Sequence, residues 1–321
     1  MATKTIGSTG DYATLDLWEA YLNGVGAFGA DEIGQVQNEE LTQTVVTTFD
    51  GSSPGANRII LEAVSGGSFR DHADKLTNRL AYVSTYGACI RKTSGSGELI
   101  NVNDPNFTLQ NLMLKKDSNY GSLFVFADSA NTGQQIDNCI LVSAAGQAGL
   151  TGKNCAVTNT VLYSDGVTLI GDFANGTNSM FNCVVANLGA AGSTVGINRY
   201  SGTTTISNTA VTGFNTDASG TIGGTNNATD KSSSGMPATN LQTSLVEADE
   251  WENVASFATA DFRLKSGSTK CKDNGTATGD PTTDIIGQSR SGSTDIGAWE
   301  YQAGGAALIV PILNSYRMRN L

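Results

Sequence analysis

Four aspartates in this sequence stand where paired carboxylate chemistry would have to stand. Asp128, Asp137, Asp165 and Asp172 each fall beside one of a series of repeated phrases. Cleavage of a glycosidic bond needs two carboxyl groups, about 5 to 9.5 Å apart, one delivering a proton and the other acting as base or nucleophile. Asp137 adjoins the Asn of its phrase and Asp165 follows the next phrase, so the two fit one face on neighbouring turns of the chain. Spacing singles out no pair, however, and solvated acids on loops and turns are the simpler account of all four. His72, the sole histidine, stands in FRDHADK (69–75), which suits a structural or surface ring. DNGTATGDPTTD (273–284) has the acid-and-glycine texture of a calcium loop without its register, so a turn before a final strand is expected. No phosphate loop, G-x-S-x-G phrase or metal-spaced His/Cys set occurs, and no cofactor or metal is implied.

The elements that must position these residues announce themselves by repetition. LQNLML (109–114), IDNCIL (136–141), VTNTVL (157–162), MFNCVV (180–185) and ISNTAV (206–211) share one register, with Asn111, Asn138, Asn159, Asn182 and Asn208 at intervals of 21 to 27 residues. That interval is too long for a hairpin meander and suits a solenoid whose every coil is one circuit of short strands. Asn tolerates the left-handed backbone that a sharp corner demands. Its amide can also bond to the Asn one coil above, about 4.8 Å away, which predicts a ladder inside the stack. The position after the Asn holds Leu112, Cys139, Thr160, Cys183 and Thr209, so both thiols read as structural. A β-sandwich would show longer alternating strands than these six-residue phrases.

Composition agrees. Only 15% of the 321 residues are charged, with 38 Gly and 5 Pro, a turn- and strand-rich balance. The net charge of −11 and the lack of any Lys/Arg cluster argue against a nucleic-acid partner. The five cysteines, Cys89, Cys139, Cys155, Cys183 and Cys271, form no CxxC pair and read as buried thiols of a chain folded in a reducing compartment. The start, MATKTIGSTGDY, lacks the apolar core of a secretory signal, and AALIVPIL (306–313) is too short to span a bilayer. The expectation is a soluble protein made in a cytoplasm, with no membrane partner.

The ends of the solenoid need covers. YATLDLWEAYL (12–22) places Leu15, Trp18 and Leu22 on one helical face, with Thr14 as N-cap, and predicts an N-terminal lid. VVTTF (45–49), NRIILEAV (57–64) and ELINV (98–102) read as the first coils, and 215–235 as a long polar loop leaving the stack. This gives a lead and capping helix over 1–40, a parallel β-helix over 41–302 and a C-terminal tail over 303–321. The tail, QAGGAALIVPILNSYRMRNL from Gln302, predicts either a cap or a docking strand in which Leu308, Ile309, Val310, Ile312, Leu313, Tyr316, Arg317 and Arg319 meet a partner.

ADFRLKSGSTKCKDNG (260–275) followed by GQSRSGSTDIGAWEYQ (287–302) resembles the closing coil of bacterial and phage right-handed parallel β-helix proteins, apart from Cys271 and Lys272 where small apolar residues are usual. KTIGSTGDYATLDLWEA resembles the opening of β-helix proteins encoded by phages, and SFRDHADKL (68–76), IRKT (90–93) and FTLQNLML (107–114) resemble their first coils. The resemblance implies an all-β, right-handed parallel β-helix of pectate-lyase-like type. It does not settle activity, because this architecture hosts many functions. The NTD, DD, GHG and RIK phrases of polygalacturonases are absent, and no aspartate cluster suggests the calcium site of a pectate lyase.

The expected function is therefore non-enzymatic: a phage virion protein, as capsid decoration or as tail fibre or spike, whose partners are capsid or tail proteins, copies of itself and host glycans. The alternative is a polysaccharide lyase or glycoside hydrolase of the tailspike depolymerase type. A bacterial surface adhesin is disfavoured by the missing export signal.

Overall fold

The computed structural model describes residues 2–117, 121–127, 131–143, 148–166, 169–189, 194–232, 235–277, 281–290 and 293–302. Within them the chain winds a right-handed parallel β-helix. In one circuit it runs along Gln134–Asp137, turns at Asn138, continues along Ile140–Ser143 and Ala148–Gly152, and begins again at Cys155–Thr158. Stacked circuits give three parallel sheets of nine, seven and eight strands. The nine-stranded sheet begins at Ala2–Ile6 and ends at Gly223–Thr225. The seven-stranded sheet begins at Thr47–Phe49, and the eight-stranded one at Glu40–Gln43.

Like residues fall on like. Leu61, Leu109, Ile136, Val157, Met180 and Ile206 stack in register along the nine-stranded sheet and are fully buried. Leu41, Ile90, Leu114, Leu141, Leu162, Val185 and Val211 stack likewise on the eight-stranded sheet and are buried. The two rows and their counterpart on the third sheet enclose the main core, which removes apolar area from water at about 25 cal/mol per Å². Near the N-terminal end, Phe49, Phe107, Phe124 and Phe126 form an aromatic chain with centroid separations of 4.9, 6.2 and 4.9 Å.

The lid is the helix Leu15–Val25. Thr14 caps it by accepting a hydrogen bond from the Leu17 N–H, and Leu15, Trp18 and Leu22 are its buried face. Trp18 lies edge-on to Phe49 and directly over Gly34, where a Cβ would come within 2.7 Å of the indole. Because Ala2–Ile6 and Glu32–Val36 pair within the nine-stranded sheet, the stack reaches ahead of the boundary at 41. The lid is an excursion between its first two strands.

From Ile140–Ser143 to Ala210–Thr212 the eight-stranded sheet is buried on both faces. Outward-pointing Met113, Ile140, Val142, Val161, Tyr163, Val184 and Ala210 join Trp251, Phe262, Ile285, Ile286, Ile296 and Trp299 in a second core. The described residues of 247–302 thus form a wrap laid along the stack, tied at its start by the antiparallel pair Trp251–Asn253 and Asp261–Leu264. The segment between Ala63 and Cys89 contributes Phe69, Leu80 and Ala81 to the same core.

Two expectations require correction. The loop expected over 215–235 does not leave the stack as far as 229: Thr216–Ser219, Gly223–Thr225 and Ala228–Thr229 extend all three sheets, small residues being enough for backbone pairing. The phrases over 260–302 do not close the helix as a last coil but lie beside it. The tail, 303–321, with Leu308, Ile309, Val310, Ile312, Leu313, Tyr316, Arg317 and Arg319, lies outside the described residues.

Candidate functional site

The structure distributes the aspartates over the coil rather than gathering them. Asp137 ends a strand of the nine-stranded sheet, and its carboxylate accepts hydrogen bonds from the Asn138 amide (2.7 Å) and the Thr158 hydroxyl. Burial raises its pKa, opposed by the Thr158 bond and the nearby Arg70 cation. Asp172 lies on the seven-stranded sheet, receives the Asn198 amide at 3.2 Å and is also raised by burial. Asp165 is exposed in the turn after Val161–Ser164. The three occupy two different sheets and a turn. Asp128 lies outside the described residues. Among the described residues, no three His, Cys, Asp or Glu side chains come together as a metal site.

The corner asparagines have a more definite task. Asn111, Asn138, Asn159, Asn182 and Asn208 all adopt positive φ, between 44° and 58°, and Asn226 extends the column with φ 55°. Each backbone N–H donates to the next coil, as from Asn159 to the Phe181 carbonyl at 3.1 Å. The amides meet one another at one step within the five, from Asn159 to Asn138 at 3.2 Å. Three corners also turn to the wrap. Asn226 donates to the Asn274 carbonyl (3.0 Å). Asn208 donates to the Thr276 carbonyl (2.7 Å) and accepts from its N–H (2.9 Å), and Asn159 donates to the Thr283 carbonyl (2.9 Å). Asn274, Thr276 and Thr283 of the wrap therefore meet the column at successively earlier corners. A left-handed corner points its side chain outward, where a peptide strand satisfies both ends of an amide better than another amide does.

Buried charge holds the wrap in place. Arg290 pairs with Glu300 at 3.0 Å, both side chains 3% exposed, and also donates to Asn159 and to the carbonyls of Gly297 and Ala298. Asp284 accepts from the N–H groups of Ile286, Gln288 and Glu300. Asp295 accepts from those of Asp273 and Tyr301, while burial pushes its pKa up to about 7. Asp217, also driven to about 7 by burial, takes the Thr229 hydroxyl and lies beside Asp230, itself paired with Lys231 at 2.9 Å. This adjoining carboxyl pair has no signature in the sequence, since Asp217 and Asp230 meet only through the last coil.

Among the cavities at the edge of the wrap, two gather charged side chains from several segments. One, about 360 Å³, is lined by Leu76, Glu252, Arg263, Trp299 and Tyr301 among others, with the Lys272 ammonium 4.5 Å from the Tyr301 ring centroid. The other, about 260 Å³ and mainly polar, lies where the 64–88 segment, the Asn111 corner and the turn at Ile286 and Gly287 meet. Arg70 and Lys75 line it. Nearby His72 accepts hydrogen bonds at Nδ1 from the Asp74 N–H (3.1 Å) and the Asn78 amide (3.0 Å), which fits its structural reading. No local pattern in the sequence marks Arg70 and Lys75, because their partners, Asn111 and Ile286, are 41 and 211 residues away.

All five cysteines are buried and free, and burial drives Cys139, Cys155 and Cys183 up to about 12.

No family model and no curated protein matches the sequence. Among solved structures, the crystal structure of pectate lyase Pel9A superposes with a TM-score of 0.50 at 14% identity, over 94% of this chain and 98% of that one. The likeness is one of fold.

Proposed function

We propose that this chain is a non-enzymatic structural protein of a phage virion, a capsid decoration or a part of a tail fibre or spike, attached through residues 303–321. The observation that carries the reading is the use to which the acids are put. Asp284, Asp295 and Glu300 accept backbone N–H groups that fix the wrap, and Asp137 is engaged by Asn138 and Thr158. Asp137, Asp165 and Asp172 stand apart instead of facing one another across a cleft. Investment in a doubly covered sheet suits a rigid rod that bears load or displays a surface. The phage-like opening and the apolar, Arg-ended tail favour a virion partner, with further copies of the chain and host glycans as secondary partners.

A polysaccharide lyase or glycoside hydrolase is the competing reading. It is favoured by one feature, the raised carboxyl of Asp137 with the Arg70 cation near it. Quantitative mass spectrometry of gradient-purified phage particles separates the two. Hundreds of copies per particle support capsid decoration, and a handful support a tail location. Absence from particles, with new reducing ends or unsaturated sugars released from capsular or pectic polysaccharide, overturns the proposal in favour of the enzyme. Deleting 305–321 should leave a folded, β-rich body that no longer assembles; an unfolded product would make the tail a cap instead.

A further inference from the structure

The polar cavity at the Asn111 corner has the makings of a site. Arg70 donates through Nη1 to the Asn111 side-chain carbonyl at 2.6 Å, which occupies one side of the guanidinium. The other side, Nε and Nη2, is the edge that grips a planar carboxylate with two parallel hydrogen bonds. Its Nε is buried with no partner among the described residues. Its Nη2 borders Gly287, where an added Cβ would lie 3.3 Å away. Lys75 reaches the same cavity and spends one of its three donors on the Ile286 carbonyl at 3.1 Å. Among the described residues, neither cation has a carboxylate within ion-pair distance.

Two lining groups shape what the cations would accept. Asp71 also lines the cavity, and its carboxylate has one long contact, from the Ser68 N–H at 3.4 Å. An ionised carboxylate accepts but cannot donate, so it repels a second negative charge and welcomes a hydroxyl. The volume of about 260 Å³ admits a molecule of one ring or smaller. Buried donors without partners are costly, at about 1–3 kcal/mol or more for a charged group, so a ligand that paired the Arg70 Nε would offset that cost.

We infer that the cavity formed by Arg70, Lys75, Asp71, Asn111 and the turn at Ile286 and Gly287 binds a small monocarboxylate that carries a hydroxyl group. The carboxylate lies between the free edge of Arg70 and the Lys75 ammonium, and the hydroxyl donates to Asp71. Such a ligand bridges the 64–88 segment, the coil corner and the wrap. This inference stands apart from the virion reading, since a displayed rod and an enzyme would each accommodate it.

The test is isothermal titration of the full chain at neutral pH with glycolate, acetate, glucuronate and sulfate. Saturable one-to-one binding of glycolate, weaker binding of acetate and no competition from sulfate are expected. Glucuronate binding more tightly than glycolate assigns the ligand to sugar acids, and the reverse assigns it to free hydroxy acids. Arg70→Lys and Lys75→Gln should each weaken glycolate about tenfold or more, the effect of losing one charge-assisted hydrogen bond. Asp71→Asn should bring the glycolate-to-acetate ratio towards unity and admit sulfate. Lys75→Gln removes one contact to the wrap, so it keeps the test open if Arg70→Lys misfolds. A flat glycolate titration, sulfate binding more tightly than glycolate, or affinity unchanged in Lys75→Gln overturns the inference.

Discussion

Replacing Asn208 and Asn182 by alanine, one at a time, isolates what the corner side chains contribute beyond their backbone. Both residues are fully buried and both are left-handed, with φ of 49° and 53°. Alanine in that region costs roughly 1–2 kcal/mol, and the cost is common to the two variants. Asn208 additionally loses its donation to the Thr276 carbonyl and its acceptance from the Thr276 N–H, at about 1 kcal/mol each. The amide of Asn182 has no hydrogen-bond partner among the described residues. Asn208→Ala should therefore destabilise by about 2 kcal/mol more than Asn182→Ala, a factor near thirty in the folding equilibrium. Urea unfolding followed by circular dichroism reads the sheets. Tryptophan emission reads mainly the wrap, because Trp251 and Trp299 belong to it while Trp18 sits in the lid. The tryptophan-reported transition should shift most in Asn208→Ala. Asn208→Gly should recover the left-handed cost without restoring the two bonds. Equal losses at the two positions, or the larger loss at Asn182, would refute the idea that these amides dock the wrap.

Asp217→Asn should flatten the pH dependence of stability. A carboxyl raised from 3.8 to about 7 contributes stability that is full below the unfolded value and is lost as pH rises through 7, up to roughly 4 kcal/mol by linkage. Thermal melts across that window should show a shallower decline in the variant, and an unchanged decline would sink the assignment. Arg290→Met strands the buried Glu300 and should cost about 3–5 kcal/mol by urea unfolding, whereas a loss below about 1 kcal/mol would place the pair outside the fold's support. Lys116 is fully buried, and burial lowers its pKa from 10.5 to about 8. Its folded state binds fewer protons than the unfolded chain between those values, so the stability of the parent protein relative to Lys116→Met should rise from pH 8 to pH 10.5, and a flat difference would refute the shift. The five buried thiols should resist a thiol reagent in the native protein and all react after denaturation; fast native labelling would contradict their burial.

How much of this was legible follows from how local each requirement is. A left-handed corner is a demand on one residue, so the asparagine column could be read from five phrases, and the lid from one helical face. The wrap depends on what covers the far side of a sheet. A trace of it was present: Ile140, Leu141 and Val142 are apolar in succession, as are Val161, Leu162 and Tyr163. Such continuous runs mark strands buried on both faces, whereas a coil with one wet face alternates. Reading them as ordinary solenoid phrases left residues 260–302 as a last coil. The loop expected at 215–235 failed for the opposite reason, since Gly223, Gly224 and Ala228 carry no apolar pattern yet complete strands by backbone pairing with the coil below.

The acids were beyond reach in a different way. Alternation along a strand turns Asp137 outward on one sheet and places Asp172 on another. That assignment depends on register, which a slip of one residue would invert. The Arg70 and Lys75 cavity needs three segments that only the wrap brings together. The column that organises the coil therefore also organises the candidate site. Asn111, whose backbone turns its corner, presents the carbonyl that holds Arg70 by one side and leaves the other side of the guanidinium for a ligand.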